Sequence, residues 1–123
     1  MIDRREFLSA LVACGMAATA KSSRAQIRPR FSADPFSLGI ASGYPSPDGF
    51  VLWTRLAPVP DEPWGGLAPE AIPVRWEIAE DEAMRRIVAS GTAEAQPEWA
   101  HSLHVEPRGL RPDRWYWYRF LAG

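Results

Sequence analysis

His101 and His104 are the only two histidines of the 123-residue sequence, and they stand three apart. On a helix that spacing would put both imidazoles on one face, where they could share a metal. On a strand an odd separation sends them to opposite faces. Leu103 and Val105 favour a strand, so two hydrogen-bonded structural histidines are expected rather than a metal clasp. Glu80, Asp81 and Glu82 are adjacent carboxylates with no histidine or cysteine close by. Acid–base pairs for glycoside chemistry must face each other across a cleft, which three consecutive acids on one turn do not do. They read as the solvated start of a single helical turn that Arg85 and Arg86 close. Arg55 and Arg119 lie within apolar runs; a phosphate contact or an ion pair would satisfy them, and a neighbouring carboxylate is the favoured partner. No nucleophile stands beside a base and no ligands cluster. No catalytic or metal residue is assigned, and a self-contained hydrolase is rejected.

The elements that would position these side chains are strands. Gly109 to Gly123 carries Leu110, Pro112 and Tyr116 in an L-x-P-x-x-x-Y pattern, then an aromatic run through Phe120. A tyrosine just after such a turn can bend its hydroxyl back onto the upstream backbone, the tyrosine corner of immunoglobulin-like sandwiches. A sandwich needs a further strand beside this one, and no sequence follows to supply it. The segment is therefore expected to be the front of something larger.

Upstream, Phe36 to Ala41 alternates apolar and small residues and predicts a first strand. Ser42 to Gly49 is a dense turn ending in Asp48-Gly49, and Phe50 to Leu56 is apolar on both faces, as a central strand would be. Ala57 to Pro73 carries five prolines and predicts a long irregular connection without a helix. Ile72, Val74, Trp76 and Ile78 give the cleanest period-two pattern. Strands follow over Ile87 to Ala93, His101 to Pro107 and Arg114 to Leu121. The expected core holds Trp53, Val74, Trp76, Ile78, Leu110, Pro112, Tyr116, Tyr118 and Phe120. Trp115 and Trp117 would then face outward beside Arg119 and Leu121 as an interaction surface. Spacing of this kind predicts an all-β antiparallel sandwich of immunoglobulin type, incomplete at its last strand.

Residues 1–25 read as a helical export signal. Arg4 and Arg5 with Phe7 and Leu8 form an RR-x-F-L arrangement that resembles a twin-arginine signal, and a mildly apolar stretch to Ala20 follows. Ser23 and Ala25 give the small-residue spacing a signal peptidase reads, with cleavage after Ala25. An ordinary secretory peptide is the alternative. Fourteen residues from Phe7 reach only about 21 Å as a helix, short of a membrane core. Leu11-Val12-Ala13-Cys14 resembles a lipobox, so membrane contact is transient unless Cys14 is lipidated. The expected location is periplasmic or extracellular, with the twin-arginine export machinery as a partner.

Cleavage would remove four of the 14 basic and two of the 15 acidic residues, leaving 10 against 13, a net charge of −3. No basic run remains, which argues against nucleic-acid binding. Cys14 is the sole cysteine, so the mature part has no disulfide and folds by packing alone. Residues 26–35 form an extended lead-in to a sandwich over 36–123.

The ordered blocks Pro35 to Gly43, Val51 to Pro58, Pro73 to Ala79, His101 to Glu106, and Gly109 to Pro112 with Tyr116 to Phe120 resemble the PhoD-like alkaline phosphatases. The resemblance implies an N-terminal, fibronectin-III-like sandwich preceding a metallophosphoesterase domain. It also implies iron and calcium in that domain, which cleaves phosphomonoesters and phosphodiesters, and no cofactor here. Its ligands would lie beyond Gly123, so none transfers to this sequence. One departure is Tyr44, where the family usually has Asp after Ala-Ser-Gly. An Asp would cap the turn through its carboxylate, and Tyr44 does not. The expected function is a non-catalytic module of an exported phosphatase that packs on its catalytic domain. The alternative is an independent sandwich binding carbohydrate or protein through outward aromatics.

Overall fold

The computed structural model describes residues 28–123. The export residues Arg4, Arg5, Phe7, Leu8 and Ala25, and the lipobox-like Cys14, lie outside the described residues. Six strands form: β1 (Ile40–Ser46), β2 (Gly49–Arg55), β3 (Ile72–Ala79), β4 (Ile87–Ala95), β5 (Ser102–Val105) and β6 (Trp117–Leu121). They pair antiparallel into two three-stranded sheets, ordered β1-β2-β5 and β4-β3-β6. The all-β sandwich is the architecture the strand spacing predicts. Asp48-Gly49 makes the tight β1–β2 hairpin, with Ser46 opposite Gly49. Gly49 is required there, because a Cβ would fall 2.0 Å from the Pro107 carbonyl oxygen.

The core lies between the sheets. Leu52 and Leu56 come from one side, Val74, Ile78 and Phe120 from the other, and Leu103 and Leu110 complete it. Burying an aliphatic side chain of this size contributes roughly 1.5–3 kcal/mol, which makes this layer the main source of stability. The lead-in is stitched to the sandwich. The Ala57 amide donates to the Pro35 carbonyl, the Ser37 hydroxyl donates to the Ala57 carbonyl, and the Phe36 ring stacks on Phe120. β6 pairs with β3 on one side and with no described strand on the other.

Several elements differ from the sequence reading. The first strand starts at Ile40 rather than Phe36, after a turn closed by the Gly39 amide on the Phe36 carbonyl. It then runs to Ser46 through the segment expected to be a turn. A bulge between Gly43 and Ser46, with Tyr44 at φ 47°, absorbs the irregular residues without ending the ladder. Residues 80–86 form a turn instead of a helical turn. The Asp81 carboxylate accepts the Arg85 and Arg86 amides, and that local bond satisfies the backbone without a helix. The proline-rich connection is irregular, as expected, with a tight turn over Pro63–Gly66 in which Trp64 and Gly65 take left-handed φ of 51° and 68°. β6 is shorter than the aromatic run, because the corner turn occupies the chain up to Tyr116.

Candidate functional site

The residues expected to form the core divide. Val74, Ile78, Leu110 and Phe120 are buried, and Trp76, Tyr116 and Tyr118 are half-buried against them. Trp76 lies across its partner strand, over Gly91, where a Cβ would meet the indole at 2.6 Å. Pro112 is exposed, since it rides on the outside of the corner turn. Trp53 is also outside, 40% exposed. Leu52 and Thr54 take the inward positions of β2, and the pleat sends Trp53 the other way.

That reversal builds a concavity. The outer face of the β1-β2-β5 sheet borders an open depression of about 1180 Å³ around Trp53, which pairs with Ala41 on one side and His104 on the other. Gly43 gives the indole room, for a Cβ there would lie 2.9 Å from the ring. Tyr44, 83% exposed, stands at the Val51 end of the face. Trp99, 73% exposed, stands at the Arg55 end with Leu38 and Ile40. Arg55 does not pair with a carboxylate; its Nε donates to the Ala100 carbonyl at 3.0 Å and anchors the Trp99 loop. On the rim, Arg108 contacts Glu106 at 3.3 Å and Asp48 at 3.4 Å, and the His104 Nε2 lies 3.7 Å from Glu106. The Gly109 amide, and then Arg108, hold the Asp48 carboxyl below the usual carboxylate range. The face therefore carries exposed aromatics, a rim on which Arg108 and His104 lie beside carboxylates, and an Arg55 held only by a backbone carbonyl.

The chemistry-bearing residues do not converge here. His101 is buried, its Nε2 2.9 Å from the Glu70 carbonyl oxygen, and its Nδ1 has no partner among the described residues. His104 is exposed on the outer face, so the two histidines point apart. Asp81 is engaged with its own turn, and Glu80 lies 3.5 Å from Arg114. Among the described residues no three His, Cys, Asp or Glu side chains are placed to hold a metal ion. Iron or calcium finds no fitting donor set among the described residues.

The opposite sheet is built differently. Trp117 and Leu121 face outward with Arg119, as the alternation predicts, and Trp115 is 84% exposed just before β6. The centre of that face is Glu77, an outward residue of β3 whose side chain is only 7% exposed. Arg119 grips it with Nε and an Nη at 2.7 Å each, and Arg75 adds a contact at 2.8 Å. Arg119 thus has the carboxylate partner expected for it.

Sequence reasoning missed the concavity because β2 is apolar on both faces, and a period of two cannot say which face is inside. The pairing of the Asp48-Gly49 turn would have fixed the register. Nothing in the sequence signals Trp99, which a short Pro97–Trp99 turn presents.

Comparison with known proteins agrees with this architecture. The chain is 55% identical over 95 residues to Alkaline phosphatase D of Bacillus subtilis (strain 168). The match covers 77% of this chain and 16% of that relative, so the chain spans a small part of its length. A solved structure described as the structure of PhoD superposes with a TM-score of 0.74 at 55% identity, over 77% of this chain and 18% of that one. Residues 18–123 match the family described as PhoD-like phosphatase, N-terminal domain. With the match spanning most of the sequence and the fold in agreement, this chain belongs to the PhoD-like phosphatase N-terminal domain family.

Proposed function

We propose that this chain is a non-catalytic N-terminal module of an exported PhoD-like alkaline phosphatase or phosphodiesterase. The single observation that carries the reading is the 55% identity confined to 16% of the relative's length. Iron and calcium would belong to the metallophosphoesterase part of such an enzyme, which this segment does not contain. The arginine pair at Arg4 and Arg5 would hand the protein to the twin-arginine machinery for delivery to the periplasm or beyond. The module's role is then architectural: it presents a preformed sandwich against which the catalytic part packs and shapes access to its site.

A second reading has its own observation. The aromatic floor of Tyr44, Trp53 and Trp99 would suit an independent carbohydrate- or protein-binding module. An exchange experiment separates the two. The matching segment of the Bacillus relative is replaced by this whole chain, with the relative's own segment carried through the same junction as a control. Phosphomonoester hydrolysis close to the control supports the phosphatase module. A soluble but inactive exchange beside an active control overturns it.

A further inference from the structure

We propose that the concave outer face of the β1-β2-β5 sheet, centred on Trp53, is the surface that docks the remainder of a PhoD-like chain. The inference rests on the reading of this chain as a module of such an enzyme, and it names the face that reading leaves open.

Three observations lead there. Tyr44, Trp53, Trp99, Leu38 and Ile40 line one concavity, and each is at least 40% exposed among the described residues. Single exposed apolar residues are ordinary, but a joined patch of large ones marks a surface normally covered. Its composition is that of an interface core, since Trp and Tyr are enriched at such centres and carry most of the binding energy. The rim is largely paired: Arg108 lies against Glu106 and Asp48, and the Arg55 Nε donates to the Ala100 carbonyl, so the Arg55 guanidinium is the one rim charge that a covering surface would have to partner.

The second observation is length. In the solved structure that resembles this chain, the matching portion is 18% of the chain, so a large remainder of the same polypeptide is tethered beside it and available to cover a face. The third is the contrast between the two outer faces. The β4-β3-β6 face has a carboxylate at its centre, clamped by Arg75 and Arg119, and burying that cluster would cost the hydration of two exposed guanidinium groups. The Trp53 face has no charge at its centre. The partner it fits is a convex protein surface rich in apolar side chains, delivered by the same polypeptide in an enzyme of this family.

The test is hydroxyl-radical labelling of aromatic side chains, read residue by residue. It compares the free 123-residue chain with the exchange protein that carries this chain ahead of the relative's remainder. The expected result is that Tyr44, Trp53 and Trp99 lose most of their labelling in the exchange protein while Trp115 keeps its own. Unchanged labelling of the three in an active exchange protein would overturn the docking face and leave the module reading standing. Protection already present in the free chain and rising with its concentration would assign the face to a second copy. Protection by a soluble cellohexaose or chitohexaose probe, without protection in the exchange protein, would assign it to saccharide. Either result overturns the proposal. An inactive exchange beside an active control overturns the module reading and the docking face with it. As a second arm, Trp99→Ser changes an exposed loop side chain and is expected to leave the free chain's melting unchanged. In the exchange protein it should split a single melting transition into two. A Trp99→Ser exchange that melts as one unit at the unaltered temperature counts against the proposal.

Discussion

The Tyr116 hydroxyl and the Arg111 backbone exchange two hydrogen bonds, each 2.9 Å: the Arg111 amide donates to the hydroxyl, and the hydroxyl donates to the Arg111 carbonyl. This closes the turn that brings the chain from Leu110, buried in the core, into β6. The same turn is pinned from the other sheet, where the Leu110 amide donates to the Asp48 carbonyl at 2.8 Å. The corner thus fixes where β6 begins and which of its faces turns inward.

Tyr116→Phe removes both bonds and keeps the ring against Phe50. The loss is expected to be about 1 kcal/mol, a net hydrogen-bond contribution at a partly wet site. For a domain of this size that lowers the melting temperature by about 4–8 °C. Tyr118→Phe, whose hydroxyl has no bond among the described residues, serves as the comparison and should melt with the parent. Thermal unfolding followed by circular dichroism decides between them.

Glu77 and Arg119 should be energetically coupled. Glu77→Gln weakens the grip of two arginines, but these are 61% and 46% exposed and can rehydrate. The expected cost is therefore about 1–2 kcal/mol, below that of a fully buried pair. A double-mutant cycle with Arg119→Gln, read by urea unfolding, should return a coupling above about 0.5 kcal/mol. Additive losses would show that the pair contributes nothing of its own.

Acid should weaken the fold through Asp48 and Asp81. The Gly109 amide and then Arg108 lower the Asp48 carboxyl, while the Arg86 and Arg85 amides lower that of Asp81. A carboxyl lowered in the folded state contributes stability that is present above its unfolded value and lost as pH falls through the folded one. Stability should therefore decline as pH drops below about 4, the ordinary carboxylate range. Asp48→Asn with Asp81→Asn should flatten that part of the pH profile. An unchanged slope between the parent and the double variant would contradict the assignment.

Gly91→Ala should be destabilising although glycine is a poor strand residue. The added methyl meets the Trp76 indole at 2.6 Å, so the ring or the strand must move. Overpacking of this kind costs about 1–3 kcal/mol. A variant as stable as the parent would mean that Trp76 does not lie across β4.

Much of this was legible in the residues. Ile72, Val74, Trp76 and Ile78 alternate cleanly because β3 is the central strand of its sheet with one face on the core. Tyr116 announced its corner by spacing from Leu110. Trp53 was illegible for a physical reason: with Val51, Leu52 and Leu56 around it, both faces of β2 look apolar, and only the hairpin register selects Leu52. The run Glu80 to Arg86 carries the charge order of a helix dipole, yet the Asp81 carboxylate satisfies the same amides in a turn. Tyr44 sits in a bulge at φ 47° and lines the concavity rather than ending the strand.

In the proposed division of labour, this segment supplies architecture and a docking face while the hydrolytic chemistry resides elsewhere in an enzyme of its family. The most direct measurement is phosphomonoester turnover by the purified 123-residue chain, with and without added iron and calcium, followed across a gel-filtration peak. Activity indistinguishable from a mock preparation in every fraction is the expected result. Turnover that follows the protein peak would contradict the claim.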